Sequence, residues 1–249
     1  MIRGFRAYLL VDHKLTFREP LVLLFQFALP VGMYAFFGLI FGHVPEGDTP
    51  YDFYDDYTSN FVAIALLNVS LMGIATSLVI YKEFGFLKQL MITPLDTSAI
   101  WLSAMVKGLV TFLIGFAEIV VVGWLMFDKL PSNLLQMAVA IVLSAYCLFS
   151  LGFLLASICR AANTVYAAGG VLFQIMLLIS GASIPLSQMP LGLQRAANVL
   201  PMTHVVDMLR LGWHGQFFTS AGWSPAIIAV AMGTTFALAA RDLFRRSFA

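Results

Sequence analysis

The stretch "KEFGFLKQLMITPLD", Lys82 to Asp96, lies between two strongly apolar segments and is neither apolar nor simply polar itself. It carries charges, Gly85 and Pro94, yet keeps Phe84, Phe86, Leu87, Leu90, Met91 and Ile92. A connection between two membrane spans needs only to be short and polar. An amphipathic one has an apolar face to cover, so its surroundings decide both the fold and the function.

Those surroundings are hydrocarbon-like. Of 249 residues, 60% are hydrophobic and 11% charged, with a mean hydropathy of +0.89. A soluble domain carries about a quarter charged residues, so the composition indicates a polytopic membrane protein. The formal net charge of +1 supplies no basic field for nucleic acid. Cys147 and Cys159 fall in one expected helix, roughly 18 Å apart, too far for a disulfide, and read as small buried residues.

Crossing about 30 Å of hydrocarbon takes about 20 apolar residues, and six runs suffice: Leu21–Phe41, Asn60–Ile80, Ile100–Phe127, Leu134–Ile158, Thr164–Ile184 and Trp223–Ala240. Irregular backbone leaves N–H and C=O groups unsatisfied in lipid, so each run is expected to be a helix. Lys and Arg fix the sidedness. Arg3, Arg6, Lys14, Arg18, Lys82, Lys88, Arg160, Arg241, Arg245 and Arg246 fall on one side, against Lys129, Arg195 and Arg210 on the other. The positive-inside rule places both termini in the cytoplasm. The connection Gly42 to Tyr57, with five acids and no cation, fits the outside.

Ile2 to Phe17 mixes Phe5, Tyr8 and Leu9 with Arg3, Arg6 and Lys14 and reads as an interfacial helix ended by Pro20, not as a signal peptide. Pro185 to Gly222, broken by Pro185, Pro190 and Pro201, is too interrupted for a span and too apolar for a solvated loop. Short re-entrant or interfacial helices on the outer side are expected there. With no repeat and no low-complexity segment, residues 1–249 read as one domain.

Few residues suggest chemistry. His13, His43, His204 and His214 lack any metal-ligand spacing. His204 and Asp207 share a helix face without a recognisable nucleophile, so no catalytic or metal site is assigned. Glu118 lies deep in the third apolar run. It is either a substrate-path or proton-coupling residue or a neutral carboxyl bonded to a neighbouring helix. Lys107, in the same run, reads as an anchor that snorkels to the interface. No phosphate-binding GxxxxGK[ST] loop is present, so an ATP-driven activity would draw its ATPase from another polypeptide.

"YKEFGFLKQLMITPLDTSAIWLSAMVKG" resembles the cytoplasmic segment of type-2 ATP-binding-cassette (ABC) exporter permeases, the ABC-2 membrane family, whose pattern runs E-[RK]-E-x-G-x-L-E-x-L-x-x-[TS]-P. Lys82, Glu83, Gly85, Leu87, Leu90, Thr93 and Pro94 match it. Tyr81 and Lys88 stand where acids are expected. "LISGASIPLSQMPLGLQRAANVLPMTHVVDMLR" is similar to the family's second conserved stretch through Ser180, Gly181, Pro185, Pro190, Gln194, Pro201, Met202, Thr203 and Arg210, with Gly192 where tryptophan is common.

The resemblance implies an all-α polytopic fold with six transmembrane helices. It adds an N-terminal amphipathic interface helix, a coupling helix between spans two and three, and re-entrant helices before span six. It also implies a non-catalytic half-transporter that pairs with a second copy or a paralogous permease. Separate ABC ATPase subunits would bind ATP and Mg. Phe84, Leu87 and Met91 recur at helical spacing and supply an apolar docking face, with Lys82, Glu83 and Lys88 at its rim. The expected substrate is a small amphiphile or drug. Lipid or polysaccharide export is the alternative within the family, and an ion-coupled secondary transporter using Glu118 is the rival outside it.

Overall fold

A chain this apolar satisfies its backbone internally, and in the computed structural model of the protein it does so with helices. Residues 27–41, 53–85 and 97–246 are described, with no strand among them. Helix α1 spans Leu29–Phe41. Helix α2, Phe53–Asn68, runs through a π-helical segment, Val69–Ala75, into α3, Thr76–Glu83. Then follow α4 (Thr97–Phe127), α5 (Leu134–Ile158) and α6 (Ala162–Ile179). A 3-10 turn at Leu186–Gln188 leads to the short α7 (Leu191–Ala197) and α8 (Pro201–Trp213), and α9 (Ser220–Arg246) ends the described chain.

Among the described residues, five helices are long and apolar enough to cross a membrane: Tyr57–Glu83, Trp101–Phe127, Leu134–Ile158, Ala162–Ile179 and Ser220–Phe244. The expected first span is described only from Phe27, and its apolar helix covers Pro30–Ile40. The expected N-terminal interface helix lies outside the described residues, as do residues 42–52 and 86–96. The fifth span is shorter than expected. Its helix ends at Ile179 because Gly181 takes φ +86°, a left-handed conformation that stops a helix. Short helices do occupy the interrupted stretch after Pro185.

The spans differ sharply in burial. In the most apolar stretches of Tyr57–Glu83 and Leu134–Ile158, 67% and 61% of residues are buried, against 22%, 17% and 22% in the other three. The bundle is therefore two central helices surrounded by three whose outer faces are left for lipid. Helix α5 is the hub, packing against α9, α8 and the π segment.

The two central spans meet almost backbone to backbone. A Cβ on Gly152 of α5 would lie 2.5 Å from the Ser70 carbonyl oxygen, so only glycine fits that crossing. Ser70 Oγ donates back across it to the Leu148 carbonyl. A π segment widens the helix and frees a carbonyl from its usual partner. Here Thr76 Oγ1 donates to the Leu71 carbonyl at 3.4 Å and Ser77 Oγ to the Gly73 carbonyl at 2.7 Å, so side chains take over part of the ladder.

Candidate functional site

Span two ends where the opening stretch begins. Phe84 caps α3, with its N–H on the Ile80 carbonyl at 3.0 Å, and Gly85 follows at φ +74°. A left-handed glycine just past a helix is the usual chain-reversing stop. It gives a physical reason for the glycine of the first motif. Lys82 and Glu83 thus belong to the last turn of the span, while Phe84 projects beyond it, 82% exposed.

The two charges reach across to neighbouring helices. Lys82 Nζ donates to three carbonyls at the end of α5: Ala156 at 3.4 Å, Ser157 at 3.3 Å and Cys159 at 3.2 Å. The ammonium also lies 5.7 Å from the ring centre of Phe244 in α9, within range of a cation–π attraction. Glu83 Oε2 accepts the Ala162 N–H, the start of α6, at 2.7 Å. The sequence pattern marked both as rim residues of a docking face and gave no sign of these contacts. Leu87, Lys88, Leu90, Met91, Thr93 and Pro94 lie outside the described residues.

The ends of α3, α5, α6 and α9 therefore converge at this end of the bundle, together with Arg160, which is close enough to repel Lys82. These are ends that the charge count assigned to one side.

The second motif reads as helix punctuation at the opposite end. Ser180 caps α6 and its Oγ accepts the Ala182 N–H at 3.4 Å. Pro185 precedes the 3-10 turn, Pro190 precedes α7, and Pro201 opens α8, where its missing N–H costs nothing. Gln194 Nε2 donates to the Met189 carbonyl at 2.8 Å, and Thr203 Oγ1 to the Ala197 carbonyl at 2.6 Å. Met202 is fully buried. Arg210 Nη2 reaches Asn60 Oδ1 on α2 at 3.4 Å. Burial pushes the Asp207 carboxyl above its ordinary range, and Arg210 and His204 pull it part of the way back.

A cavity of about 420 Å³ opens between α1, α2 and α6. Its wall is mostly apolar (Met33, Phe37, Phe61, Ile64, Phe173 and Leu177), with Tyr57, Asn68 and Ser183 as polar points. Few polar groups on a greasy wall suit an amphiphile better than a sugar chain. Glu118 is half-buried on α4 and is not part of that wall. Lys107 is only 8% exposed, so its side chain packs within the bundle instead of extending free as an anchor. Cys147 and Cys159 are buried thiols.

Comparison with known proteins supplies the family. The probable multidrug ABC transporter permease YbhR of Escherichia coli K12 is 24% identical over 186 residues, 74% of this chain and 50% of its own length. Nodulation protein J of Rhizobium leguminosarum bv. trifolii is 27% identical over 77% of this chain and 70% of its own. The capsule polysaccharide export inner-membrane protein CtrC of Neisseria meningitidis is 28% identical over 100 residues, 40% of this chain and 37% of its own. The match thus spans half the length of YbhR and less of CtrC. The ABC-2 type transporter family itself matches residues 3–212. With its several membrane-length helices and both sequence motifs, the chain belongs to the ABC-2 type transporter family and is of its membrane-permease kind.

Proposed function

We propose that this chain is the permease subunit of an ATP-driven exporter, powered by separate ATPase subunits that bind and hydrolyse ATP with Mg. Phe84 carries the reading. An apolar ring left 82% exposed beyond a capped span, at the cation-bearing end, is a surface waiting for a protein partner. The left-handed Gly85 breaks the helical face expected to run from Phe84 to Leu87 and Met91, so these two, four residues apart, supply an apolar pair of their own in the segment that follows, with Lys88 as the rim charge. The segment from Tyr81 to Ala99 is the coupling element, and the end bearing it is cytoplasmic. The topology that goes with it has six spans, both termini in the cytoplasm of a prokaryotic inner membrane, an N-terminal interface helix and re-entrant α7 and α8 on the outer side. A second copy or a paralogous permease completes the pathway, which alternates in access between the two sides.

The substrate class is a small amphiphile or drug-like molecule. The apolar cavity wall supports it, as does the printed description of YbhR as a probable multidrug permease. Polysaccharide or lipid export is the second reading, favoured by the description of CtrC. Glu118, half-buried in α4, is assigned to the pathway, where an ion-coupled transporter would use it as the coupling acid. ATPase activity of the reconstituted complex, measured with amphiphilic dyes, lipids and oligosaccharides in turn, separates these classes. Stimulation by amphiphiles alone supports the first. The double variant Phe84→Asp, Leu87→Asp should insert normally yet hydrolyse ATP without transport, and normal transport by it contradicts the docking assignment.

A further inference from the structure

The three residues joining α5 to α6 are Cys159, Arg160 and Ala161. A helix end leaves carbonyls or N–H groups without intrahelical partners, and neighbouring side chains normally cover them. This connection supplies no such cover. Ala161, at the N-cap of α6, has no side chain that can accept a hydrogen bond. Both missing caps come from the end of span two instead. The Lys82 ammonium spreads over the Ala156, Ser157 and Cys159 carbonyls, and the adjacent Glu83 carboxylate takes the Ala162 N–H at 2.7 Å. Each charge sits at the helix end whose dipole favours it, cation at a C-terminus and anion at an N-terminus. Charge-assisted bonds of this kind are the strong ones.

From this geometry we infer that Lys82 and Glu83 form a transmission joint, which makes the α5–α6 turn move as one body with the end of α3. The inference rests on the docking reading and adds where the motion goes. Helix α5 is the hub of the bundle, and α6 carries Phe173 and Leu177 in the cavity wall. A displacement of the end of α3 therefore reaches the hub through Lys82 and the cavity wall through Glu83. Both are positioning residues, acting on the pathway through α5 and α6.

The test uses the full chain reconstituted with its ATPase subunits, in a Cys159→Ala background. Cys147 is fully buried and does not report. A reporter cysteine, Leu177→Cys, is labelled with a maleimide with and without ATP and vanadate, which needs no knowledge of the substrate. In the parent the labelling rate changes with nucleotide. In Lys82→Met and Glu83→Ala that change should fall about five-fold or more, the scale of a coupling between sites. ATPase co-purification is scored in the same variants, and its loss there would make Lys82 and Glu83 docking residues and overturn the joint. Lys82→Arg and Glu83→Asp should restore the response, which separates coupling from mere stability.

A short thiol cross-link between Glu83→Cys and Ala162→Cys should also leave the nucleotide response intact, because the joint does not open in the cycle. An unchanged response in Lys82→Met and Glu83→Ala, or a response abolished by the cross-link, overturns the joint while docking stands. If the ATPase fails to co-purify with the parent chain, the docking reading falls, and the joint falls with it.

Discussion

The two ends of the bundle finish their helices in opposite ways. At the end facing α8, caps come mostly from nearby sequence. Asn133 Oδ1 accepts the Leu135 and Gln136 N–H groups at 3.0 and 3.1 Å, and Thr203 reaches back to the Ala197 carbonyl. At the cation-bearing end, caps come from 74 to 79 residues away, through Lys82 and Glu83. A local cap stiffens one helix, whereas a distant one ties two spans together. One end is built to hold its shape and the other to pass on displacement. Long-range exceptions at the holding end are the Ser132 N–H on the Trp213 carbonyl at 2.8 Å, the Phe218 N–H on Gln136 Oε1 at 3.3 Å and the Arg210–Asn60 contact at 3.4 Å.

What joins the two ends is the crossing of the central spans, and breaking it should have the largest effect. Gly152→Val drives a Cβ to within 2.5 Å of the Ser70 carbonyl, against backbone that cannot step aside. The cost should be about 3 kcal/mol or more, as for severe overpacking. Loss of the monodisperse folded peak in detergent checks this, and a normal melt would remove the crossing from the account.

Removing a local cap sharpens the contrast between ends. Asn133→Ala should cost about 1 kcal/mol, lowering the thermal midpoint while leaving the nucleotide response of the Leu177→Cys reporter unchanged. Lost coupling in this variant would show that the two ends are not mechanically distinct.

The smallest effect is a pH dependence at the holding end. A carboxyl whose folded pKa is raised contributes stability that is full below its unfolded value and is lost as pH rises through the folded one. Burial raises Asp207 in this way. Asp207→Asn should therefore gain thermal stability over the parent near neutral pH, with the gap closing as pH falls towards about 4, the ordinary aspartate range. A gap that widens on acidification would mean the Arg210 and His204 charges outweigh burial.

The same contrast explains how much was legible in the sequence. Apolar length and Pro or Gly punctuation are local signals. The spans from Leu134 to Ile158 and from Ile100 to Phe127 were readable to within a few residues, and so were the boundaries at Pro190 and Pro201. Boundaries slipped where charges stay helical because distant partners receive them. Span two runs to Glu83, beyond Ile80, since Lys82 and Glu83 end on α5 and α6. The last helix also runs on, to Arg246 past Ala240, with Arg241 and Asp242 exposed. Neither the π segment nor the Lys82–Glu83 contacts leave a local trace, because each depends on which helix crosses at that height. Phe84 read from the sequence as sharing a helical face with Leu87 and Met91, and the left-handed Gly85 behind it ends the helix there and breaks that face.

The account as a whole rests on ATP driving the pathway through a docked partner. Its most direct test is transport of an amphiphilic dye into inside-out vesicles, comparing the complex with one whose ATPase subunit carries a disabled catalytic site. Transport should be lost with the disabled subunit although docking persists. Transport that continues unchanged without ATP hydrolysis would contradict the account and return Glu118 to the centre of the mechanism.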